Sequence, residues 1–288
     1  MELKWPVLHC PVCAAKQAQP SALIPTDELS WQCALGHHFD CARQGYINLL
    51  PAQFKRSKDP GDSKLMVQAR RRFLEAGYYA PIANKLSAMV AQHQTQLDRA
   101  ITVLDAGCGE GYYLRHLGQQ LPQETQLLGN DVSKWAVQAA AAAHKGGCYV
   151  VASNARLPYA SHSLDVLICA FGFAAYEEFI RVLKPDGILL TVDPLPTHLQ
   201  ALRDILYEEQ KSKPAQSQMQ LEGFALQEQT PLGFELTLGQ DTLQDLLTMT
   251  PHAYRAPQSG KNRLAALNSL QLDAEVVFQT WQPRSSQP

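Results

Sequence analysis

"AITVLDAGCGEGYYLRHL" (100–117) decides how the rest of the chain is read. Ile101 to Leu104 is a short, mostly aliphatic run, the composition of a buried strand. Asp105 ends it. Gly107, Gly109 and Gly111 follow at alternate positions, where a missing Cβ lets the backbone bend sharply and come close to a ligand. A helix then begins at the tyrosine pair. A G-x-G-x-G turn alone is a weak signal, because dinucleotide folds carry similar turns. The carboxylate just ahead of it narrows the choice. It repels a pyrophosphate and tolerates the ammonium of a methionine moiety.

Working outward, "TQLLGNDVSKWAVQAAAAAH" (125–144) reads as a second strand ending at Asp131 and then an amphipathic helix. Asp131 stands twenty residues beyond Gly111, where a carboxylate grips the hydroxyls of a ribose. In "GCYVVASNARLPYASHSLDVLICAF" (147–171), Asn154 follows a third strand and can bond an adenine edge. "SLDVL" leads into a fourth strand. "YEEFIRVLKPDGILLTVDP" (176–194) supplies a helix, a Lys-Pro-Asp-Gly turn and a fifth strand. Strands alternating with helices predict an α/β fold with a doubly wound, Rossmann-like sheet. Together these segments look like a class I S-adenosylmethionine-dependent methyltransferase.

Ahead of that core stand "CPVC" (10–13) and "CALGHHFDC" (33–41). Two Cys/His pairs at ribbon spacing predict a tetrahedral, structural zinc site. Cys10, Cys13 and Cys33 are three of its ligands. Spacing leaves His37 and Cys41 in competition for the fourth place, with His38 and His9 behind them. The apolar residues of this head are too few to fold it alone, so the metal contributes the missing stability. Seven cysteines, four of them clustered at the front, favour reduced thiols and a metal over a disulfide frame.

The net charge of -2 gives the whole chain no polyanion-binding character. Its distribution does. Between residues 43 and 72 stand Arg43, Lys55, Arg56, Lys58, Lys64, Arg70, Arg71 and Arg72, against Asp59 and Asp62 alone. That asymmetry predicts a basic patch on an acidic body. No apolar run is long enough to span a membrane, and "MELKWPVLHC" lacks the pattern of a secretory leader, so a cytoplasmic location is expected. The expected organisation is a zinc ribbon over 1–45, a basic linker and helical segment over 46–96, and a methyltransferase domain over 97–288.

"GYINLLP" (45–51), "KRSKDPGDS" (55–63), "QARRRFLEAGYY" (68–79), "PTHL" (196–199), "LEGFALQ" (221–227) and "MTPHAYRA" (249–256) complete the pattern. With the metal knuckle and the cofactor motifs, they make the chain resemble, over nearly its full length, the RlmA-type 23S rRNA (guanine-N1)-methyltransferases. The resemblance implies that His37 is the fourth zinc ligand and that the chain forms a homodimer. It implies transfer of a methyl group from S-adenosyl-L-methionine to N1 of a guanine in a 23S rRNA hairpin. It places Gly109 and Glu110 at the centre of the cofactor turn, Tyr79 over the cofactor from the helix side, and His198 at its methionine end. The chain departs from the family at "ICAFGFAAYEEF" (168–179), where Phe171 keeps an aromatic and Phe173 takes the place of a proline. Tyr78, Phe171 and Tyr254 are candidates for stacking on a turned-out base. The polar stretch "KSKPAQSQMQ" (211–220) reads as a surface loop. The same core would serve a small-molecule methyltransferase or be carried by a non-catalytic RNA adaptor. The basic joining segment counts against the first, and the intact Asp105, glycine turn and Asp131 count against the second.

Overall fold

The computed structural model describes residues 5–16, 21–27, 29–55, 57–208 and 221–284; the loop read at 211–220 lies outside them. The head consists of helix α1 (Pro11–Ala15) and a three-stranded antiparallel sheet of β1 (Leu23–Asp27), β2 (Ser30–Cys33) and β3 (His38–Asp40). Next come β4 (Tyr46–Asn48), α2 (Lys64–Glu75) and α3 (Ala80–Leu97). Ser63 caps α2 by accepting the N–H of Met66 at 3.3 Å. The core follows as β5 (Thr102–Ala106), α4 (Tyr112–Gln120), β6 (Gln126–Asp131), α5 (Lys134–Ala143), β7 (Gly147–Val151), β8 (Leu164–Ala170), α6 (Tyr176–Val182) and β9 (Leu183–Pro194). The chain continues through α7 (Gln200–Leu206), β10 (Phe224–Gly239), α8 (Gln240–Met249), α9 (His252–Arg255), α10 (Gln258–Ala265) and β11 (Ser269–Pro283).

Eight strands form one mixed sheet in the order β10-β11-β9-β8-β5-β6-β7-β4. The reversal of strand order beside β5 opens the crevice in which doubly wound sheets bind ligands. The expected α/β sheet is therefore present, and it is wider than the five strands read from the sequence. At one end, "GYINLLP" supplies β4, which pairs in parallel with β7 through Tyr46–Tyr149 and Asn48–Val151. At the other, β10 and β11 form a long antiparallel pair from Phe224–Pro283 to Gly239–Ser269. Pro231 lies in β10, at the sheet edge, where a missing N–H costs no ladder bond. The Lys-Pro-Asp-Gly turn lies within the first part of β9, beside a register shift against β8.

The two faces of the sheet are buried by different partners. One carries a core that includes Phe73, Tyr79, Ile82 and Leu86 of the joining segment and Leu243 and Leu246 of α8. The other buries Leu104, Leu167 and Leu189 together with Leu8, Leu23 and Trp31 of the head. Backbone pairing links the head to the core: the N–H of His9 donates to Pro158 O at 2.9 Å, and Leu8 bridges to Tyr159. The metal-bearing segment thus packs against the methyltransferase sheet.

Candidate cofactor corner and metal centre

At the end of β5 the backbone turns on Gly107 (φ +92°), Gly109 (φ +55°) and Gly111 (φ +81°), conformations that L side chains rarely adopt. The N–H groups of Gly107 and Cys108 both donate to Asn130 O, at 2.8 and 3.0 Å, which ties the turn to β6. The N–H of Gly109 donates to Asp131 Oδ2 at 3.0 Å, and Ser133 N–H to Asp131 Oδ1 at 2.8 Å. Two carboxylates therefore flank the glycine turn. Asp105 is 1% exposed, and its Oδ2 has no hydrogen-bond partner among the described residues. Burial, and then the charge of Asp131, push the Asp105 carboxyl up to about 7. Burial also raises Asp131, against the two backbone N–H groups that hold its charge.

The sequence leaves open which of Arg70, Arg71 and Arg72 turns inward; in the structure it is Arg70 that reaches the turn. Its Cδ lies 3.6 Å from the position a Cβ would take at Gly109, so the side chain crosses directly over the turn. Its Nη2 donates to Asp62 Oδ2 at 2.6 Å and to Met249 O at 3.0 Å. The signal was present in the helical phase. Val67, Phe73 and Leu74 are buried, and Arg70 falls on that stripe at i+3 from Val67. Its neighbours are paired within the chain as well: Arg71 with Glu75 at 2.7 Å, and Arg72 bidentately with Asp245. The arginine run is therefore largely neutralised by the fold and is not the free basic face its composition suggests.

Tyr79 is buried and hydrogen-bonded to His198. Glu275 N–H donates to His198 Nδ1 at 3.1 Å, so Nδ1 bears no proton. Burial holds the imidazole down to about 4, hence neutral, and its Nε2–H donates to Tyr79 Oη at 3.3 Å. Phe171 stacks on Tyr79 with ring centroids 5.9 Å apart, and holds a left-handed φ of +55° that is unusual for an aromatic residue. The structure thus brings Tyr79, Phe171 and His198 into one aromatic group. Two expected cofactor residues are otherwise engaged. Glu110 is 1% exposed, and its carboxylate lies 2.8 Å from Arg115 Nη2. The Asn154 amide donates to Ala106 O and Phe173 O and accepts from Asn130 Nδ2, bracing three loops. Of the aromatics read as stacking candidates, Tyr254 is well exposed, and its hydroxyl contacts Met66 Sδ at 3.0 Å.

In the head, Cys10, Cys13, Cys33 and His37 bring one ligand atom each to within 4.8 Å of one another. His37 Nδ1 stands 3.6, 3.4 and 3.3 Å from the three sulfurs, and Cys13 Sγ lies 3.7 Å from Cys33 Sγ. Zinc–ligand bonds of about 2.3 Å to sulfur and about 2.0 Å to nitrogen give tetrahedral edges of roughly 3.5–3.8 Å. The donor set fits zinc, with the three thiols buried. Spacing left the fourth donor open; geometry brings in His37, while His38 is exposed and Cys41 Sγ faces Ala42 O.

Fold and site define a class I S-adenosylmethionine-dependent methyltransferase bearing a zinc ribbon with a Cys/His tetrad. Residues 8–58 match the family described as "RlmA, N-terminal", and residues 103–187 the family described as "Methyltransferase domain". The chain is 31% identical over 279 residues to YxjB of Bacillus subtilis (strain 168), by its name a candidate 23S rRNA (guanine-N(1)-)-methyltransferase. That alignment covers 94% of this chain and 95% of YxjB. Over 282 residues, 96% of each chain, it is 31% identical to the 23S rRNA (guanine(748)-N(1))-methyltransferase of Streptomyces fradiae. A Micromonospora griseorubida relative, by its name also a candidate 23S rRNA (guanine-N(1)-)-methyltransferase, is 38% identical over 213 residues, 70% of each chain. The chain belongs to the 23S rRNA (guanine-N1)-methyltransferase family.

Proposed function

We propose that the chain methylates N1 of a guanine in a hairpin loop of 23S rRNA, with S-adenosyl-L-methionine as donor. The observation that carries this reading is the end-to-end likeness to relatives bearing that assignment. The corner is chemically suited to the donor. S-adenosylmethionine supplies an electrophilic methyl group on a sulfonium and, in its methionine part, an ammonium and a carboxylate. The unpaired Asp105 oxygen suits the ammonium, Asp131 the ribose hydroxyls, and Arg70 the carboxylate. Gly107, Gly109 and Gly111 provide the close backbone surface. Glu110 orients the turn through Arg115, and Asn154 holds the loops that close the adenine side.

The chain's own contribution is to hold donor and acceptor in line and to keep water out. Tyr79 and Phe171 form an aromatic wall, and His198 fixes the Tyr79 hydroxyl from behind. Phe171 is 38% exposed, which leaves part of its ring available to a base. Guanine N1 lies on the Watson–Crick edge, so the target must be unpaired or turned out. The zinc ribbon, packed on the sheet, is the element that selects the RNA. A homodimer and a cytoplasmic location belong to the same proposal; no helix among the described residues is long and apolar enough to cross a membrane.

Incubation with methyl-labelled donor and unmodified 23S rRNA, followed by nucleoside analysis, tests the reading. Label in 1-methylguanosine is expected; label absent from RNA rejects it. Arg70→Ala should weaken donor binding by about tenfold, the loss of a charge-assisted contact of roughly 1.5 kcal/mol. Calorimetry checks this, and an unchanged affinity would remove Arg70 from the cofactor contacts.

A further inference from the structure

Beside Asp131 a groove of about 450 Å³ opens between the 55–60 loop and the start of α5, with Val132 in its wall. Lys55, Lys58 and Lys134 line it together with Trp135. All three lysines are exposed, and among the described residues none has an acidic partner. Asp59, the carboxylate in the groove, accepts the indole N–H of Trp135 at 2.7 Å, which fixes the ring. Lys64 Nζ lies 5.9 Å from the centroid of that ring. Next to Lys55, Arg156 covers the ring of Phe54 at 3.9 Å. The arginine run differs: Arg70, Arg71 and Arg72 each hold an internal ion pair, whereas the three lysines have no acidic partner among the described residues.

We propose that this lysine-lined groove, with Trp135 as a stacking surface, is the channel along which a single-stranded segment of the RNA substrate reaches the cofactor corner. The inference rests on the rRNA reading above. The donor itself does not explain the lysines: adenine is neutral and the whole molecule carries a net positive charge, so a ring of cations offers it nothing. A polyanion gains from every one of them. An electropositive groove that tracks phosphates, with an aromatic face for bases, is how single strands are held without sequence preference. A duplex is too wide for a groove of this volume, and a target hidden in pairing could not be methylated at N1. The loop that supplies Lys58 is braced against α5, since Ser133 Oγ donates to Asp62 O at 2.6 Å. Gly61 permits that contact, because a Cβ there would stand 2.8 Å from the Ser133 Cβ. The groove is therefore preformed, and it adjoins the ribose carboxylate.

The test compares wild type with Lys55→Ala/Lys58→Ala/Lys134→Ala, Trp135→Ala and Trp135→Phe. Affinity for unmodified 23S rRNA transcript is measured by filter binding across a salt series, and donor affinity by calorimetry. For the triple variant, the slope of log affinity against log salt should become shallower by about 2, from roughly 0.7 per single-strand phosphate contact. Trp135→Ala should weaken RNA binding by about tenfold, and Trp135→Phe should restore most of it. Donor affinity should stay within twofold in all three. A salt slope in the triple variant equal to that of a wild type that methylates rRNA overturns the groove and leaves the function standing. Parallel loss of donor affinity also overturns it, by assigning the groove to the cofactor. A wild type that neither binds nor methylates rRNA removes both readings.

Discussion

Asp105→Asn will raise the melting temperature of the cofactor-free protein at pH 8 and, in the same protein, weaken S-adenosylmethionine binding by at least tenfold. The two effects have one cause. Asp105 is buried at the end of β5 with one oxygen unpaired, and its carboxyl is pushed up to about 7, first by burial and then by Asp131. A raised carboxyl favours the protonated fold. The stabilising contribution is complete below the unfolded value near 4, declines as pH rises, and is gone above about 7. At pH 8 the wild type therefore carries the full cost of a buried, unbalanced charge, on the order of 4 kcal/mol. Asparagine removes the charge but leaves a buried amide short of a partner, which returns roughly 1–3 kcal/mol of that gain. The net expectation is a rise of a few degrees at pH 8 that shrinks toward pH 6.

Donor binding runs the other way. An ammonium placed against Asp105 favours the ionised form, so wild-type affinity should rise with pH up to about 7 and level off above it. Below that point it should fall by as much as tenfold per unit, while Asp105→Asn should be weak and flat. Thermal melts and calorimetry between pH 6 and 8.5 measure both. Identical pH profiles in the two proteins would show that Asp105 is not the group the donor meets.

Cys13→Ser should abolish zinc binding and reduce rRNA methylation by at least a hundredfold while leaving donor affinity within twofold. Cys13 is fully buried, and its sulfur stands 3.4 Å from His37 Nδ1 and 3.7 Å from Cys33 Sγ, within the tetrad. Around it the head has little else to hold it: Leu8, Leu23 and Trp31, with Trp5 edge-on to Trp31 at 5.7 Å. Structural zinc supplies about 10–16 kcal/mol of apparent binding energy in small zinc-finger peptides, far more than those contacts provide. The contacts described at the glycine turn come from β5, β6, α2 and their loops and involve no residue of 5–41, which is why donor binding should survive. Metal analysis after dialysis, with calorimetry beside it, decides the point. Retained stoichiometric zinc would refute the ligand assignment, and donor binding lost together with the metal would show that the head supports the core.

What was legible in the sequence follows from how local each signal is. The glycine turn and its strand could be read because backbone geometry dictates their residues: Gly107, Gly109 and Gly111 all take positive φ. The metal tetrad was legible in all but its last member, since three cysteines are fixed by spacing while the choice of His37 depends on how β2 turns into β3. Long-range pairings were not. Nothing near "YIN" announces a strand that completes the sheet beside β7, and β10 is an edge strand whose mostly exposed, polar pattern hides it. The arginine run was legible as charge but not as pairing, because Asp245 lies 173 residues from Arg72 and meets it only in the folded chain. In the sequence Trp135 is one residue of an amphipathic helix; its place in a lysine groove depends on Asp59 reaching it from the loop ahead of α2.

The central claim is that one guanine of 23S rRNA receives the methyl group at N1. Reverse transcription of 23S rRNA after incubation with enzyme and donor reads this directly, since a methyl on N1 blocks pairing. A new stop one nucleotide before a single unpaired guanine, absent without donor and absent with Cys13→Ser, is the expected result. An unchanged stop pattern on RNA that carries label would place the methyl elsewhere on the nucleotide and contradict the account.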